Sequence, residues 1–144
     1  MTTSRAPSPS TFTLPESDVP GATLLDFLAN RFPHVARDTW HTRMESGAIT
    51  GDDGLPLRPD MPYRARLRLH YFREVRDEPL VPFEETIVFQ DERLLIACKP
   101  HFLPVIPSGA YVNECLVYRL RRRTGNPHLV PVNRLDRETA GLVM

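Results

Sequence analysis

The stretch NRLDRETAGLV, residues 133–143, carries the most informative pattern in this chain of 144 residues. It places the acidic residue Asp136 between Arg134 and Arg137, and apolar residues flank the stretch at 129–132 and 142–144. Apolar runs bounded by turn residues are typical of strands, so the sequence predicts a polar loop between two extended segments. Catalytic side chains often lie on such loops, because the strands hold them in place.

Asp136 has two interpretations on spacing alone. Neighbouring guanidinium groups favour the ionised carboxylate, which prepares it to act as a nucleophile or a base at neutral pH. Thr139 and Gly141 would then hold the turn, through a hydroxyl and a permissive backbone. An Asp followed three residues later by Thr is also common in turns and helix caps that have no catalytic role.

The residues before this loop are predicted to form the first part of a sheet domain. Residues 86–89 and 94–98 favour a hairpin, and a proline-rich loop follows at 99–110. A helix is expected over about 113–124, ended by Gly125, with arginines near its C-terminal end where cations complement the helix dipole. The strands and the helix together predict an α+β fold with a mixed, mainly antiparallel sheet.

Composition divides the chain into three parts. Residues 1–20 are rich in Ser and Pro and lack apolar periodicity, which predicts a disordered arm. Residues 77–92 contain acidic side chains and no basic one, so we place a domain boundary at their start. The expected domains are a small module at 21–76 and the beginning of a larger domain at 77–144.

The small module is predicted to contain two short helices and a small sheet. Apolar residues recur at helical spacing from Leu24 to Phe32, just before a proline. A second helix is expected from Asp38 as N-cap to Gly47 in the C-cap position. Short extended pieces follow, separated by a turn at Asp53 and Gly54.

Arginines and leucines alternate within residues 64–71, which predicts a half-buried strand. Arg64, Arg66 and Arg68 would then line one face and the leucines the other. Such a stripe suits an RNA phosphate backbone, and it equally suits an edge strand protected by solvated charge.

Charge narrows the class of partner only weakly. The chain has 18 Lys plus Arg against 18 Asp plus Glu, so net charge gives no case for a polyanionic partner. Lys99 is the single lysine, and all other basic residues are arginines. This bias suits phosphate contacts and stacking on bases, although genome base composition can produce it as well.

Several classes of protein are not expected. The apolar runs fall short of the ~20 residues of a membrane span, and the N-terminus does not resemble a secretory signal, so we expect a cytoplasmic protein. Cys98 and Cys115 lack a CxxC spacing, and no two histidines are four residues apart. The sequence therefore predicts neither a disulfide framework nor a metal site.

Residues 133–143 resemble the H-R-L-D-x-x-T-S-G-L-L signature of the RluA-type pseudouridine synthases. Residues 96–100, which end in Lys-Pro, and residues 105–109 are similar to the entry to the catalytic domain of that family. Asn133 stands where the family usually has His, and Ala140 where it usually has Ser. The preceding module, about 22–72, resembles the small RNA-binding domain that many of these enzymes carry.

The resemblance implies an enzyme that converts uridine in ribosomal or transfer RNA to pseudouridine without a metal or redox cofactor. The essential aspartate of the family corresponds to Asp136, and it either adds to C1′ or takes a proton from C2′. Arg134 corresponds to the arginine that fills the space of the flipped base. The alternative role of Arg134 is structural, in an ion pair with Asp136 or Glu138. Asn133 is expected to hydrogen-bond the loop, and Arg137 to contact RNA as well.

Family members continue well beyond this motif. The sequence is thus expected to be the N-terminal portion of such an enzyme, monomeric and with little activity as this chain alone. Two other readings stay open: a non-catalytic RNA-binding protein, and a gene fragment that does not fold stably.

Overall fold

The computed structural model describes residues 1–16 and 22–144. Within them the backbone forms two compact units, residues 8–72 and residues 1–7 together with 73–144. The chain changes unit between Phe72 and Arg73, whereas composition predicts a boundary between residues 76 and 77. Residues 17–20 of the predicted arm, and Gly21 at the predicted start of the module, lie outside the described residues.

The described residues contain helices and short antiparallel strands, which confirms the predicted α+β class. In chain order they are β1 (Thr3–Arg5), β2 (Ser10–Thr13), α1 (Leu24–Arg31), α2 (Arg37–Glu45), β3 (Ile49–Gly51), β4 (Arg68–Tyr71), β5 (Glu74–Arg76), β6 (Thr86–Gln90), β7 (Leu95–Lys99), α3 (Leu116–Thr124) and β8 (Gly141–Val143). The sheets have the orders β1-β5, β2-β4-β3 and β6-β7-β8. None of the described helices is long and apolar enough to cross a bilayer.

The 8–72 unit has one core, shared by α1, α2 and the β2-β4-β3 sheet. Its most buried members include Leu24, Leu28, Met44, Ile49 and Leu69. Burial of these apolar side chains supplies most of the free energy that holds two such short helices in place.

Both predicted helices of this unit are present. The Thr23 hydroxyl accepts a hydrogen bond from Asp26 N at 3.1 Å and Thr23 N donates to the Asp26 carboxylate at 3.0 Å, so a capping box starts α1. The N-cap of α2 is Ala36, and the prediction of Asp38 as N-cap is wrong. Asp38 lies in the first turn instead, where its charge favours the helix dipole.

Arg64, Arg66 and Arg68 do not form the predicted stripe on a strand. β4 begins only at Arg68, where Thr13 of β2 pairs with it. The preceding residues turn, with Leu67 N donating to Arg64 O at 3.3 Å and Arg66 at a φ of 61°. Leu14, which follows β2, binds this turn through its backbone, with Arg66 N donating to Leu14 O at 3.0 Å and Leu14 N donating to Leu67 O at 2.9 Å. The turn, and not a regular ladder, sets the directions of these side chains.

The disordered arm predicted for residues 1–20 is wrong for residues 1–16, which contain β1 and β2. β1 pairs with β5, and β2 pairs with β4. Leu14, which follows β2, is only 1% exposed. The strand partners lie in residues 68–76, so local composition carries no signal for this order.

The 73–144 unit is built around β7, the central strand of the β6-β7-β8 sheet. The predicted hairpin is confirmed by β6 and β7, which are joined at residues 91–94. Gly125 ends α3 at a φ of 72°, as predicted. Core side chains come from the sheet, the 99–110 loop and α3: Ala97, Leu103, Val105, Leu116, Leu120 and Val143.

α3 begins at Leu116, three residues later than the 113–124 prediction, because residues 112–114 bind a side chain instead. The Glu78 carboxylate accepts hydrogen bonds from the backbone N–H groups of Val112, Asn113 and Glu114 at 2.6, 2.7 and 2.8 Å. Burial raises the pKa of Glu78, but these donors outweigh it and hold the pKa below its ordinary value. The carboxylate therefore fixes the entry to α3.

The two cysteines are free thiols in different surroundings. Cys98 is exposed on β7, where it pairs with Thr86 of β6 and Leu142 of β8. Cys115 is fully buried, and burial raises its pKa to about 11.

Candidate active site

The site loop, residues 133–141, is held at both ends to β8. Its last residue, Gly141, begins β8 and pairs with Lys99 at the end of β7. At its first residue, Asn133 Nδ2 donates to Leu142 O at 3.2 Å and Met144 N donates to Asn133 Oδ1 at 2.9 Å. The amide thus uses both its donor and its acceptor on the backbone of one strand.

Leu135 anchors the middle of the site loop. Its side chain is half-buried and packs against the core of the unit. Gly141 has a φ of 153°, and a Cβ added there would lie 3.2 Å from Leu135 Cδ1, so a glycine lets the two residues approach. Since Leu135 points inward, its neighbours Arg134 and Asp136 are exposed. Thr139 N donates to Asp136 O at 3.0 Å and closes the turn.

Arg137 does not bind Asp136, contrary to the expectation that both flanking arginines bracket the carboxylate. Its guanidinium donates to the Glu138 carboxylate at 2.9 and 2.7 Å and lies 5.8 Å from the centre of the Tyr111 ring. The hydrogen bond with Arg137 lowers the pKa of Glu138. In the part of the chain that the structure describes, neither Arg134 nor Asp136 forms an ion pair.

Lys99 is the site residue that sequence reasoning missed. Its side chain is 0% exposed, and Nζ donates to the carbonyl oxygens of Pro100, Leu103 and Arg137 at 2.9, 2.7 and 3.1 Å. Burial lowers its pKa, while the charges of Glu138 and Asp136 act in the opposite direction. Lys99 thereby ties the end of β7 to the backbone directly after Asp136. Its status as the single lysine, at the end of an apolar strand, was the available signal.

His101 makes a further connection to the site loop. Its Nδ1 lies 2.7 Å from Glu138 O. Together with Lys99, this contact joins the loop that follows β7 to two consecutive residues, Arg137 and Glu138. Asp136 is therefore an exposed carboxylate on a backbone that is fastened on both sides.

Comparison with known proteins covers the residues that build this site. The profile of the RNA pseudouridylate synthase family matches residues 93–144, which include Lys99 and the whole site loop. An uncharacterized RNA pseudouridine synthase of Synechocystis is 35% identical over 121 residues, which cover 84% of this chain and 41% of that protein. The chain belongs to the RNA pseudouridine synthase family.

Two further relatives extend the similarity to bacteria and plants. Ribosomal large subunit pseudouridine synthase D of Pseudomonas aeruginosa is 31% identical over 131 residues, 86% of this chain and 41% of that protein. RNA pseudouridine synthase 5 of rice is 29% identical over 136 residues, 85% of this chain and 34% of that protein. The chain thus spans between about a third and two fifths of the length of these curated relatives.

The geometry of this site suits chemistry by a carboxylate. An exposed carboxylate on a fixed loop can add to an electrophilic carbon or remove a proton from a bound ligand. Among the described residues, no group of three or more His, Cys, Asp or Glu side chains is arranged to hold a metal ion.

The arginines of α3 have structural partners in this family member. Arg119, whose side chain is 12% exposed, pairs with Glu114 at 2.5 Å and with Glu85 at 3.3 Å. Arg121 donates to Leu129 O at 2.7 Å, and Arg123 donates to Glu85 O at 3.0 Å. These side chains hold α3 to the segments around it, which accounts for much of the basic cluster seen in the sequence.

Proposed function

We propose that this protein acts in RNA pseudouridylation, with Asp136 as the catalytic carboxylate. The observation that carries the proposal is the exposure of Asp136 on a loop whose neighbouring residues are fixed by Lys99, His101 and Asn133. The reaction breaks the N1 to C1′ bond of uridine, turns the uracil while it stays bound, and rejoins it to C1′ through C5. C5 loses its proton to solvent and N1 takes one up, so the product is an isomer of uridine. Asp136 either adds to C1′ or removes a proton from C2′, and both roles need a carboxylate beside the ribose.

Arg134 is proposed to support flipping of the target base. A stacked uracil is out of reach of the carboxylate, so it must leave the helix at a cost of a few kcal/mol. Arg134 is exposed and makes no hydrogen bond or ion pair with another described side chain, which leaves its planar cation able to stack where the base was. Arg137 is placed to contact the RNA from the same loop.

The remaining assignments complete the proposal. We propose ribosomal or transfer RNA as the substrate, a cytoplasmic and monomeric enzyme, and chemistry that needs no cofactor. The 8–72 unit would act as an RNA-binding module, in which Arg64, Arg66 and Arg68 offer exposed cations to phosphates.

Substitution of Asp136 by Asn in the complete protein that carries this sequence tests the catalytic role. Release of tritium from RNA labelled at C5 of uridine measures turnover, and a filter-binding assay measures RNA affinity. We expect turnover to fall by about 10³-fold or more, as for removal of a nucleophile, with RNA affinity unchanged.

Glu138→Gln is the matched control, because it makes the same change of carboxylate to amide two residues away. It should keep most of the turnover. Full turnover by Asp136→Asn would refute the assignment, and RNA binding without turnover in the unaltered protein would favour a non-catalytic RNA-binding protein.

A further inference from the structure

Three aromatic side chains form a ring cluster next to the site loop: Phe83, His101 and Phe102. The centres of the Phe83 and Phe102 rings are 6.2 Å apart, with 37° between their planes. The His101 ring is 6.1 Å from that of Phe102, at 47°. The rings are therefore contiguous, but they are not closed into a packed core.

Neither burial nor backbone geometry explains why position 102 is a phenylalanine. The side chains of Phe83 and Phe102 are 49% and 50% exposed, and neither belongs to a core cluster. Phe102 also has a φ of 67°, in the left-handed region that favours glycine and costs a bulky residue free energy. A strained and exposed aromatic residue of this kind points to a function.

The ring cluster is continuous with the site loop. His101, its middle member in the sequence, contacts the carbonyl oxygen of Glu138 at 2.7 Å, only two residues after Asp136. An RNA nucleotide next to a uridine bound at Asp136 would therefore lie within reach of these rings.

We propose that the ring cluster is a stacking platform for an unpaired base adjacent to the target uridine, an inference that rests on the proposed function. Aromatic faces bind any base by stacking, so the contact would tolerate different sequences. Glu84, the next residue after Phe83 in the chain, is exposed and the Lys99 ammonium is fully buried, so neither offers a cation to phosphate. The platform therefore binds the face of a base, and not the sugar-phosphate backbone.

Phe102→Gly tests the platform, because glycine adopts the observed φ without strain and removes the ring. Affinity is measured by fluorescence anisotropy with a labelled stem–loop RNA whose loop contains a uridine. We expect RNA binding to weaken about five- to hundred-fold, the range for loss of one stacked base, and thermal stability to stay equal or rise. Phe102→Trp keeps an aromatic face, so it should bind RNA as tightly as the unaltered protein.

Phe89→Ala is the matched control, because Phe89 is 46% exposed on β6 and lies outside the ring cluster. It should leave RNA affinity unchanged. A second RNA lacks the base next to the uridine. The unaltered protein should bind this RNA as weakly as Phe102→Gly binds the complete stem–loop. On the second RNA, Phe102→Gly should cause no further loss of affinity.

An unchanged affinity of Phe102→Gly overturns the platform, as does an equal loss with the RNA that lacks the base. Turnover measured in parallel separates the two proposals. If the unaltered protein isomerises uridine while Phe102→Gly binds RNA as tightly, only the platform is wrong. If the unaltered protein neither binds nor isomerises RNA, both proposals fail.

Discussion

The site loop and the 64–68 segment are both rich in arginine, yet they differ in whether their exposed charged side chains have partners. In the site loop, buried or half-buried residues fix the backbone, and Asp136 is exposed between them. In the 64–68 segment the backbone is likewise bound, through Leu14, but the arginine side chains have carboxylate partners: Arg66 pairs with Glu16, and Arg68 Nε lies 3.9 Å from Asp52. A charge pattern thus finds surface residues, whereas contacts with buried residues such as Lys99 and Leu14 fix the backbone that carries them.

Removal of the buried anchor should have the largest effect on stability. Lys99→Met leaves three carbonyl oxygens without their donor, and we expect a loss of about 2–4 kcal/mol in the free energy of unfolding. Urea denaturation measures the loss, and amide exchange should show faster opening of the site loop. Stability equal to that of the unaltered protein would mean that the loop is held without Lys99.

Lys99 also predicts a pH dependence. Burial lowers its pKa below the ordinary lysine value of 10.5, so at pH values between the lowered pKa and 10.5 the unfolded chain binds more protons than the folded one. Stability should therefore rise with pH through this window, and it should be lost as pH falls through the lowered pKa. The difference between the unfolding curves of the unaltered protein and Lys99→Met isolates this contribution, because other titrating groups are common to both.

Gly141→Ala should have the next largest effect. The new Cβ would meet Leu135 Cδ1 at 3.2 Å on a backbone at φ 153°, so we expect a loss of about 1–3 kcal/mol by thermal or urea unfolding. Gly109→Ala is the control, since its φ is 55° but no atom lies within 4 Å of the added Cβ. An equal loss for both variants would show that backbone strain, and not the approach of Leu135, requires Gly141.

Asn133→Ala removes the two side-chain hydrogen bonds that hold the start of the site loop. It leaves Leu142 O and Met144 N without the amide, and a loss of about 1–2 kcal/mol is expected. Asn133→Asp keeps the acceptor for Met144 N and loses the donor, so its stability should be intermediate. If Asn133→Asp is no more stable than Asn133→Ala in denaturant titrations, the acceptor contributes nothing.

The smallest effects are expected in the 64–68 segment. Arg66→Ala and Arg68→Ala should each change stability by less than about 1 kcal/mol, because exposed ion pairs contribute little. If these arginines bind phosphates as proposed, each substitution should weaken RNA binding and reduce its salt dependence by about one unit of slope. If the variants bind RNA with the salt dependence of the unaltered protein, Arg66 and Arg68 do not contact phosphates.

Local sequence patterns predicted the elements whose partners are close in the chain. The β6-β7 hairpin and the end of α3 at Gly125 follow from turn residues and apolar spacing within a few positions.

Contacts between residues that are distant in the chain could not be predicted from local sequence patterns. β1 and β2 are ordered by strands in residues 68–76, so their composition alone resembled a disordered arm. The burial of Lys99 beneath the site loop depends on where the 99–110 loop folds back, because its ammonium binds Leu103 O and Arg137 O. Arg137 has a carboxylate on each side in the chain, so charge spacing alone cannot determine that it binds Glu138.

The two thiols open a chemical route to the site. A thiolate is the form that alkylating reagents attack. Cys115 is both inaccessible and kept protonated by its pKa of about 11, whereas Cys98 faces solvent one residue before Lys99. A maleimide dye added near neutral pH therefore modifies one position without mutagenesis, on the strand that adjoins Gly141 and Leu142. The natural sequence thus offers a built-in reporter for motion of the loop that carries Asp136.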